Sequence, residues 1–253
     1  MYSDVVDLRQ FYDAPLGHVA QRMVRKRLRS IWPDQRGQSV LGIGYATPYL
    51  RGIADEAERA VAIMPARQGV VRWPKGRPNC VALSEDMELP FADMTFDRVM
   101  LVHSLEVTES WAGLLRESWR VLAGGGRLLV VVPGRRGLWS RVDRTPFGHG
   151  HPYSAAQLQR LLRDHHFVPE QVARALYVPP FRSRFMIRSA AAWERIGSRW
   201  FPRFAGVVMV EASKQIYQRA MPGHVRRRRP LLIPVPGGAV AQTSRREMDP
   251  PRV

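Results

Sequence analysis

Cysteine is nearly absent: Cys80 is the only one in 253 residues. An internal disulfide is excluded, and so is a cysteine-rich metal site. Long apolar runs are missing too. RLLVVVP (127–133) and AGVVMV (205–210) are of strand length, well short of the ~20 residues that span a bilayer, so no transmembrane segment is expected. The opening MYSDVVDLRQFYD lacks a basic stretch followed by an apolar block. No secretory signal is therefore expected, and the expected location is cytoplasmic. Lysine is scarce, with Lys26, Lys75 and Lys214 standing among 39 basic residues. The formal net charge of +17 is thus largely arginine charge. Apart from Val24–Arg29 and Arg226–Arg229 the arginines are scattered. A solvated surface is one reading of them; a nucleic-acid or anionic-membrane contact through the surface and tail is the other.

What is present is enough for a core. Hydrophobic residues make up 45%, and the length suits one α/β domain with additions. Residues 4–31 read as two helical pieces broken at Asp13-Ala14-Pro15, with Val19, Met23, Leu28 and Ile31 on one face. Strands are expected at Ser39–Ile43, Ala60–Met64, Cys80–Leu83, Phe96–Val102 and Arg127–Val132. Helices are expected over PYLRGIADEAE from Pro48, from Ser110 to Leu122, and after the N-cap Ser154. Gly124-Gly125-Gly126 is expected to end the second of these in left-handed geometry. A sixth strand (Phe167–Val178), a helix (Arg184–Trp200) and a last strand (Phe204–Glu211) follow. Alternating strands and helices predict a doubly wound, mostly parallel seven-stranded sheet with helices on both faces. Three regions result: an N-terminal helical cap (1–37), the α/β domain (38–221) and an Arg/Pro/Gly-rich tail (222–253) that reads as disordered.

VLGIGYATP (40–48) ends the first strand. Gly42 and Gly44 permit a tight turn, Thr47 is a good N-cap, and Pro48 suits the first helical position. A strand, a glycine turn and a helix N-terminus together bring backbone N–H groups toward a nucleotide-like ligand. The same pattern also serves as a plain turn in many α/β proteins.

The segment Met87–Pro133 is more specific. Its pieces are Leu89-Pro90-Phe91, Phe96-Asp97 at the start of strand four, and RE-x-x-RVL-x-GGG from Arg116 to Gly126. Their order and spacing resemble the class I, Rossmann-like S-adenosylmethionine-dependent methyltransferases of the small-molecule type, as in quinone biosynthesis. The resemblance covers about residues 38–178. It implies S-adenosyl-L-methionine as cofactor and a small-molecule substrate. By the same resemblance Gly42, Gly44 and Tyr45 of the loop, Met64 at the end of strand two, Glu85, Asp86 and Met87 before LPF, and His103 after strand four are the cofactor contacts. Glu85 falls where the family places an acid for the adenine amino group. His103 would be a general base, a lining for the methionine arm, or simple polar lining.

Two departures stand out. In the family the first strand ends in an acid within a D-x-G-x-G-x-G-like loop; here Gly42, Ala46 and Pro48 replace the acid and two glycines, and Gly44 alone is unchanged. Strand two ends in Met64-Pro65 where the family has an acid for the ribose hydroxyls. A hydrogen bond to a charged group contributes roughly 1.5–3 kcal/mol, so its loss is expected to weaken cofactor binding unless another group, such as Arg67 or Gln68, compensates.

The long loop after strand five carries Arg135, Arg136, Trp139, Arg141 and Arg144, then His149 and His151. Trp139, His149 and His151 are the expected substrate contacts, closing over an anionic or aromatic molecule. No carboxylate or cysteine joins these histidines or His165-His166 at a metal-like spacing, so no metal is expected. Three functions follow: a small-molecule methyltransferase, a non-catalytic module that keeps the fold, or an RNA- or protein-directed methyltransferase. VHSLEV after strand four lacks the Asn/Asp-Pro-Pro-aromatic motif of nucleic-acid amino methyltransferases.

Overall fold

Each central strand sends alternate side chains to opposite faces, and both faces are apolar. In β1 (Ser39–Gly44) Val40 joins one buried cluster while Leu41 and Ile43 join the other. In β5 (Leu122–Pro133) Leu129 and Val131 face the first cluster, and Leu128, Val130 and Val132 the second. A sheet apolar on both sides must be covered on both sides. In the computed structural model, which describes residues 4–181 and 183–215, it is. Helices α1 (Val5–Asp13) and α2 (Pro15–Ile31) bury Leu8, Tyr12, Val19, Met23 and Leu28 on one face. Helices α4 (Trp111–Val121) and α5 (Ala155–Asp164) bury Leu114, Leu115, Leu158 and Leu162 on the other.

The remaining strands are β2 (Arg59–Pro65), β3 (Val81–Ser84), β4 (Phe96–Val102), β6 (Phe167–Ala175) and β7 (Val207–Lys214). Their order is β3-β2-β1-β4-β5-β7-β6. The pairs from β3 to β5 are parallel, and β7 runs antiparallel to both β5 and β6. The expected mostly parallel seven-stranded sheet is therefore present. The order reverses at β1/β4, which puts the C-terminal ends of these strands at the crevice where open α/β sheets take ligands.

Several boundaries differ from the sequence reading, among them the end of the sixth strand, at Ala175 rather than Val178. Helix α3 is only Thr47–Leu50, capped by Ala46 without a side-chain bond, rather than an eleven-residue helix capped by Thr47. Beyond it the chain makes consecutive turns around Gly52, whose missing Cβ leaves room for the Arg25 guanidinium. The Gly124–Gly126 run does not end α4: the helix stops at Val121, and Leu122 is already extended. The glycines lie inside β5 at a bulge, where Phe96 pairs with Leu122 and Arg98 next pairs with Arg127. Only Gly125 of the three is left-handed, at φ +75°. The expected 184–200 helix breaks at Ser189 into α6 (Arg184–Arg188) and α7 (Ala190–Trp200). The last strand starts three residues later than expected, at Val207, because residues 202–204 form a short 3-10 turn. The tail 222–253 and Arg226–Arg229 lie outside the described residues.

The RE-x-x-R motif has a structural role. Arg120 donates to Glu117 at 2.9 and 2.8 Å, to the carbonyls of Phe91 (2.7 Å) and Leu89 (2.9 Å), and to Asp93 (2.8 Å). Glu117 in turn accepts from the Leu89 N–H at 2.9 Å. One ion pair thus fastens the LPF turn to α4. The Arg120 guanidinium holds the Glu117 carboxyl below its ordinary value of 4.5. A carboxyl lowered by folding stabilises above its unfolded pKa, and that contribution is lost as pH falls through the folded value. Glu117→Gln should therefore lower stability at neutral pH by about 1–3 kcal/mol. The deficit should shrink as pH drops below 4.5, measured by urea denaturation across pH; a pH-independent deficit would assign the loss to packing instead.

Candidate active site

Tyr45 follows β1, Gln68 follows β2 and His103 follows β4, so all three stand at the C-terminal edge of the sheet. Helix α1 lies across them. The Val5 N–H donates to the Gln68 carbonyl at 2.8 Å. The Tyr12 hydroxyl is 2.9 Å from the hydroxyl of Tyr49 and 2.7 Å from Nε2 of His103. The Tyr12 ring stacks on Tyr45, with centroids 5.6 Å apart. Burial pushes the Tyr12 and Tyr49 hydroxyls well above their ordinary value and Tyr45 up to about 12. All three are neutral phenols at neutral pH.

His103 is buried and left-handed, at φ +50°. Such a backbone costs about 1–3 kcal/mol and persists only where its surroundings fix it. Here Gln68 Nε2 donates to its carbonyl at 3.2 Å, and its ring lies 4.9 Å from that of Phe147. Its Nδ1 comes within 3.3 Å of Glu106 Oε1, too poorly aligned to be a hydrogen bond. The other Glu106 oxygen accepts from the Ser104 N–H at 3.2 Å. Gln68 Oε1 and Ser104 Oγ are buried with no hydrogen-bond partner among the described residues. Buried polar atoms left unpaired are costly and rare. Gln68, Ser104 and Glu106 thus form a small polar set around His103 that is only partly satisfied.

The expected cofactor residues share this edge. Gly42, Gly44, Tyr45, Met64 and His103 belong to β1, β2 and β4 or their ends, while Glu85, Asp86 and Met87 follow β3, which runs parallel to β2 with Ser84 opposite Pro65. A Cβ on Gly42 would lie 2.6 Å from Leu50 Cδ1 and 2.7 Å from the Ala46 Cβ. One on Gly44, at φ +82°, would lie 2.2 Å from the Val102 carbonyl. Both glycines are thus used for close packing. Met64 is fully buried, and its sulfur accepts from the Val71 N–H at 3.5 Å. Glu85 and Met87 are exposed, and Asp86 accepts from the Thr108 hydroxyl at 2.9 Å.

Of the expected substrate residues, His149 alone lines the cleft of about 860 Å³ beside α1, with Phe11, Arg141, Arg144, Pro180 and Phe181 among its other walls. Trp139 is instead a core residue, 1% exposed, and its indole donates to the Val178 carbonyl at 2.7 Å. The His151 side chain is exposed beside Tyr153, while its N–H donates to the Glu106 carbonyl at 2.7 Å. Phe147 is buried between the two regions: besides His103 it meets Phe11, 6.2 Å away, on the cleft side. Local sequence does not mark Tyr12 or Tyr49 as site residues; the apolar spacing of α1 marks Leu8 and Tyr12 as inward-facing, but not what they face. Among the described residues no cluster of three His, Cys, Asp or Glu is placed to hold a metal.

The sequence model of the methyltransferase-domain family matches residues 40–130, the stretch from β1 through most of β5. Residues 40–130 thus resemble a methyltransferase domain. A demethylmenaquinone methyltransferase of Corynebacterium efficiens is 28% identical over 131 residues, covering 52% of this chain and 57% of the relative. The chain therefore spans little more than half the length of that relative. An uncharacterised Mycobacterium tuberculosis protein is 27% identical over 217 residues, covering 82% of this chain and 71% of its own length. Among solved structures, a SAM-dependent methyltransferase of Thermotoga maritima superposes with a TM-score of 0.60 at 16% identity, covering 83% of this chain and 96% of the other. One from Mesorhizobium loti gives 0.54 at 14%, covering 74% and 95%. At those identities the structural likeness concerns the fold.

The altered loop is a packing arrangement. Gly44→Ala should lower the unfolding free energy by about 3 kcal/mol, combining a left-handed non-glycine residue with overpacking against fixed backbone. Urea denaturation measures it; a loss below 1 kcal/mol would show that β1 and β4 can separate locally.

Proposed function

We propose that the protein is an S-adenosyl-L-methionine-dependent methyltransferase for a small molecule, and that α1 closes its cofactor cleft in the arrangement described. The observation that carries this reading is the partly unsatisfied set of Gln68, Ser104 and Glu106 around His103. It stands at the sheet edge where the fold takes ligands, under a helix whose Tyr12 occupies the space.

The chemistry of that set fits the cosubstrate once α1 is displaced. Gln68 offers an amide oxygen to a ribose hydroxyl from just beyond β2, in place of the acid that Met64 cannot supply. Glu106 offers a carboxylate to the ammonium of the methionine arm, and Ser104 a hydroxyl to its carboxylate. Glu85 and Asp86 stand before the LPF turn, on the adenine side by family resemblance. When bound, the cosubstrate supplies a methyl group activated on sulfonium sulfur. The protein's own contribution is orientation and exclusion of water. His103, paired through Nε2 with Tyr12, becomes free to accept a proton only when that phenol leaves.

The acceptor would enter from the cleft lined by Phe11, Phe181, Arg141, Arg144 and His149. Apolar rings beside guanidinium groups suit an aromatic or anionic molecule, and the demethylmenaquinone methyltransferases among the relatives fit an aromatic acceptor. A second reading has its own support: Ala46, Leu50 and Tyr45 fill the loop's cradle, as they would in a non-catalytic module.

Calorimetry with S-adenosyl-L-methionine and S-adenosylhomocysteine separates the two. Tyr12→Ala should bind both at least about tenfold more tightly than the native chain, about 1.4 kcal/mol, with the native chain binding weakly. No heat from either protein at millimolar ligand, with both folded by circular dichroism, would sink the methyltransferase reading and leave the module.

A further inference from the structure

Helices α6 and α7, with the turn that follows, put large apolar side chains into solvent. Phe185 is 72% exposed and Trp200 69%. Trp193, Ile196, Phe201 and Phe204 are exposed as well. On α7 the residues Trp193, Ile196 and Trp200 recur at helical spacing and form one stripe. The inner face is distinct. Ala190 and Gly197 are buried, and a Cβ on Gly197 would lie 2.4 Å from Tyr177. Glu194 also turns inward, accepting from the N–H groups of Leu176 (3.0 Å) and Tyr177 (2.9 Å). The outer stripe therefore has no packing role in the described fold.

The charge around the stripe has one sign. Glu194 is the only carboxylate between Phe181 and Phe204, and its oxygens are already taken by backbone. Arg184, Arg188, Arg195, Arg199 and Arg203 are exposed. Among the described residues none of these five makes an ion pair, whereas Arg29, Arg36, Arg67, Arg77 and Arg120 each pair with a carboxylate elsewhere on the surface. Unpaired arginines alone mark any anion. Exposed tryptophan and phenylalanine beside them mark an anion that is also an apolar phase.

We propose that the α6–α7 face docks on an anionic lipid surface. Trp193, Ile196, Trp200 and Phe185 enter the headgroup–acyl boundary, and the flanking arginines meet lipid phosphates. No helix among the described residues is long and apolar enough to cross a membrane, so the contact lies on the bilayer. Phe181, four residues before Phe185, is exposed and also lines the cleft beside α1. Phe181 thus puts an exposed ring at the cleft wall three residues before α6 in the chain, and a docked protein would turn that cleft toward lipid. That last consequence rests on the methyltransferase reading; the docking itself does not.

The test uses the full chain without cofactor, so failure of cofactor binding leaves it intact. Flotation with phosphatidylcholine vesicles, with and without phosphatidylglycerol, should show binding that depends on phosphatidylglycerol. The double variant Phe185→Ser, Trp200→Ser removes two exposed rings and should weaken that binding by about a hundredfold. Arg195→Glu with Arg199→Glu should weaken binding to the anionic vesicles and abolish its salt dependence in part. Vesicle binding unchanged by the ring variant would overturn the proposal, assigning the contact to basic charge elsewhere in the chain. It would also fall if the ring variant converts a dimer to a monomer while vesicle binding is absent, or if the native chain binds RNA but neither vesicle.

Discussion

The Tyr12 hydroxyl sits between Nε2 of His103, at 2.7 Å, and the hydroxyl of Tyr49, at 2.9 Å, and all three residues are buried. The three residues come from α1, the loop after β4 and α3, which are separated by 37 and 91 positions in the chain. A buried phenol with both hydrogen bonds made fixes all three elements at once, because moving any of them strands a polar group away from water. The position of α1 follows from it, and so does the stacking of Tyr12 on Tyr45. Helix α1 is held over the sheet edge because this contact is made.

The departures at the glycine loop then form one packing solution. The absent side chain at Gly42 admits Leu50 and Ala46; the short α3 that results brings Tyr49 inward to meet Tyr12. Gly44 allows β1 to end against the Val102 carbonyl, which carries Tyr45 under α1. An acid restored at position 42 would have to displace Leu50, and one at position 64 would be buried in the core without a partner. Single reversions toward the family pattern would therefore disturb the fold before they improved a ligand site.

Much of this architecture was legible in the sequence, for identifiable reasons. Apolar runs such as Val99–Val102 and Leu128–Val132 declare buried parallel strands, and the RE-x-x-R spacing places Glu117 and Arg120 on adjacent turns of one helix, where they hold the LPF turn. The Gly124–Gly126 run misled because glycine signals freedom without saying whether a helix end or a strand bulge uses it. The eleven-residue helix after Pro48 misled because residues 51–57 have helical composition, while Gly52 and the Arg25 guanidinium decide the turns. The site was least legible. His103 was visible as a polar residue at a strand end, but its bond to Tyr12 depends on a helix 91 positions away, and no local spacing encodes that.

The arginine excess also resolves by place. Near the N-terminal ends of the strands Arg98 and Arg127 converge on Glu211, at 3.6 and 3.4 Å, and Glu211 also accepts from the Trp32 indole at 2.9 Å. Burial pulls the Arg98 pKa below its ordinary value even so, which marks that cluster as structural charge held at a desolvation cost. At α6–α7 the opposite holds: the arginines are solvated and unpaired, and the apolar surface beside them is uncovered. Net charge alone cannot distinguish these two environments, since both count equally toward +17. What separates them is whether a carboxylate stands opposite, and between Phe181 and Phe204 the one carboxylate of the sequence, Glu194, is turned to the backbone.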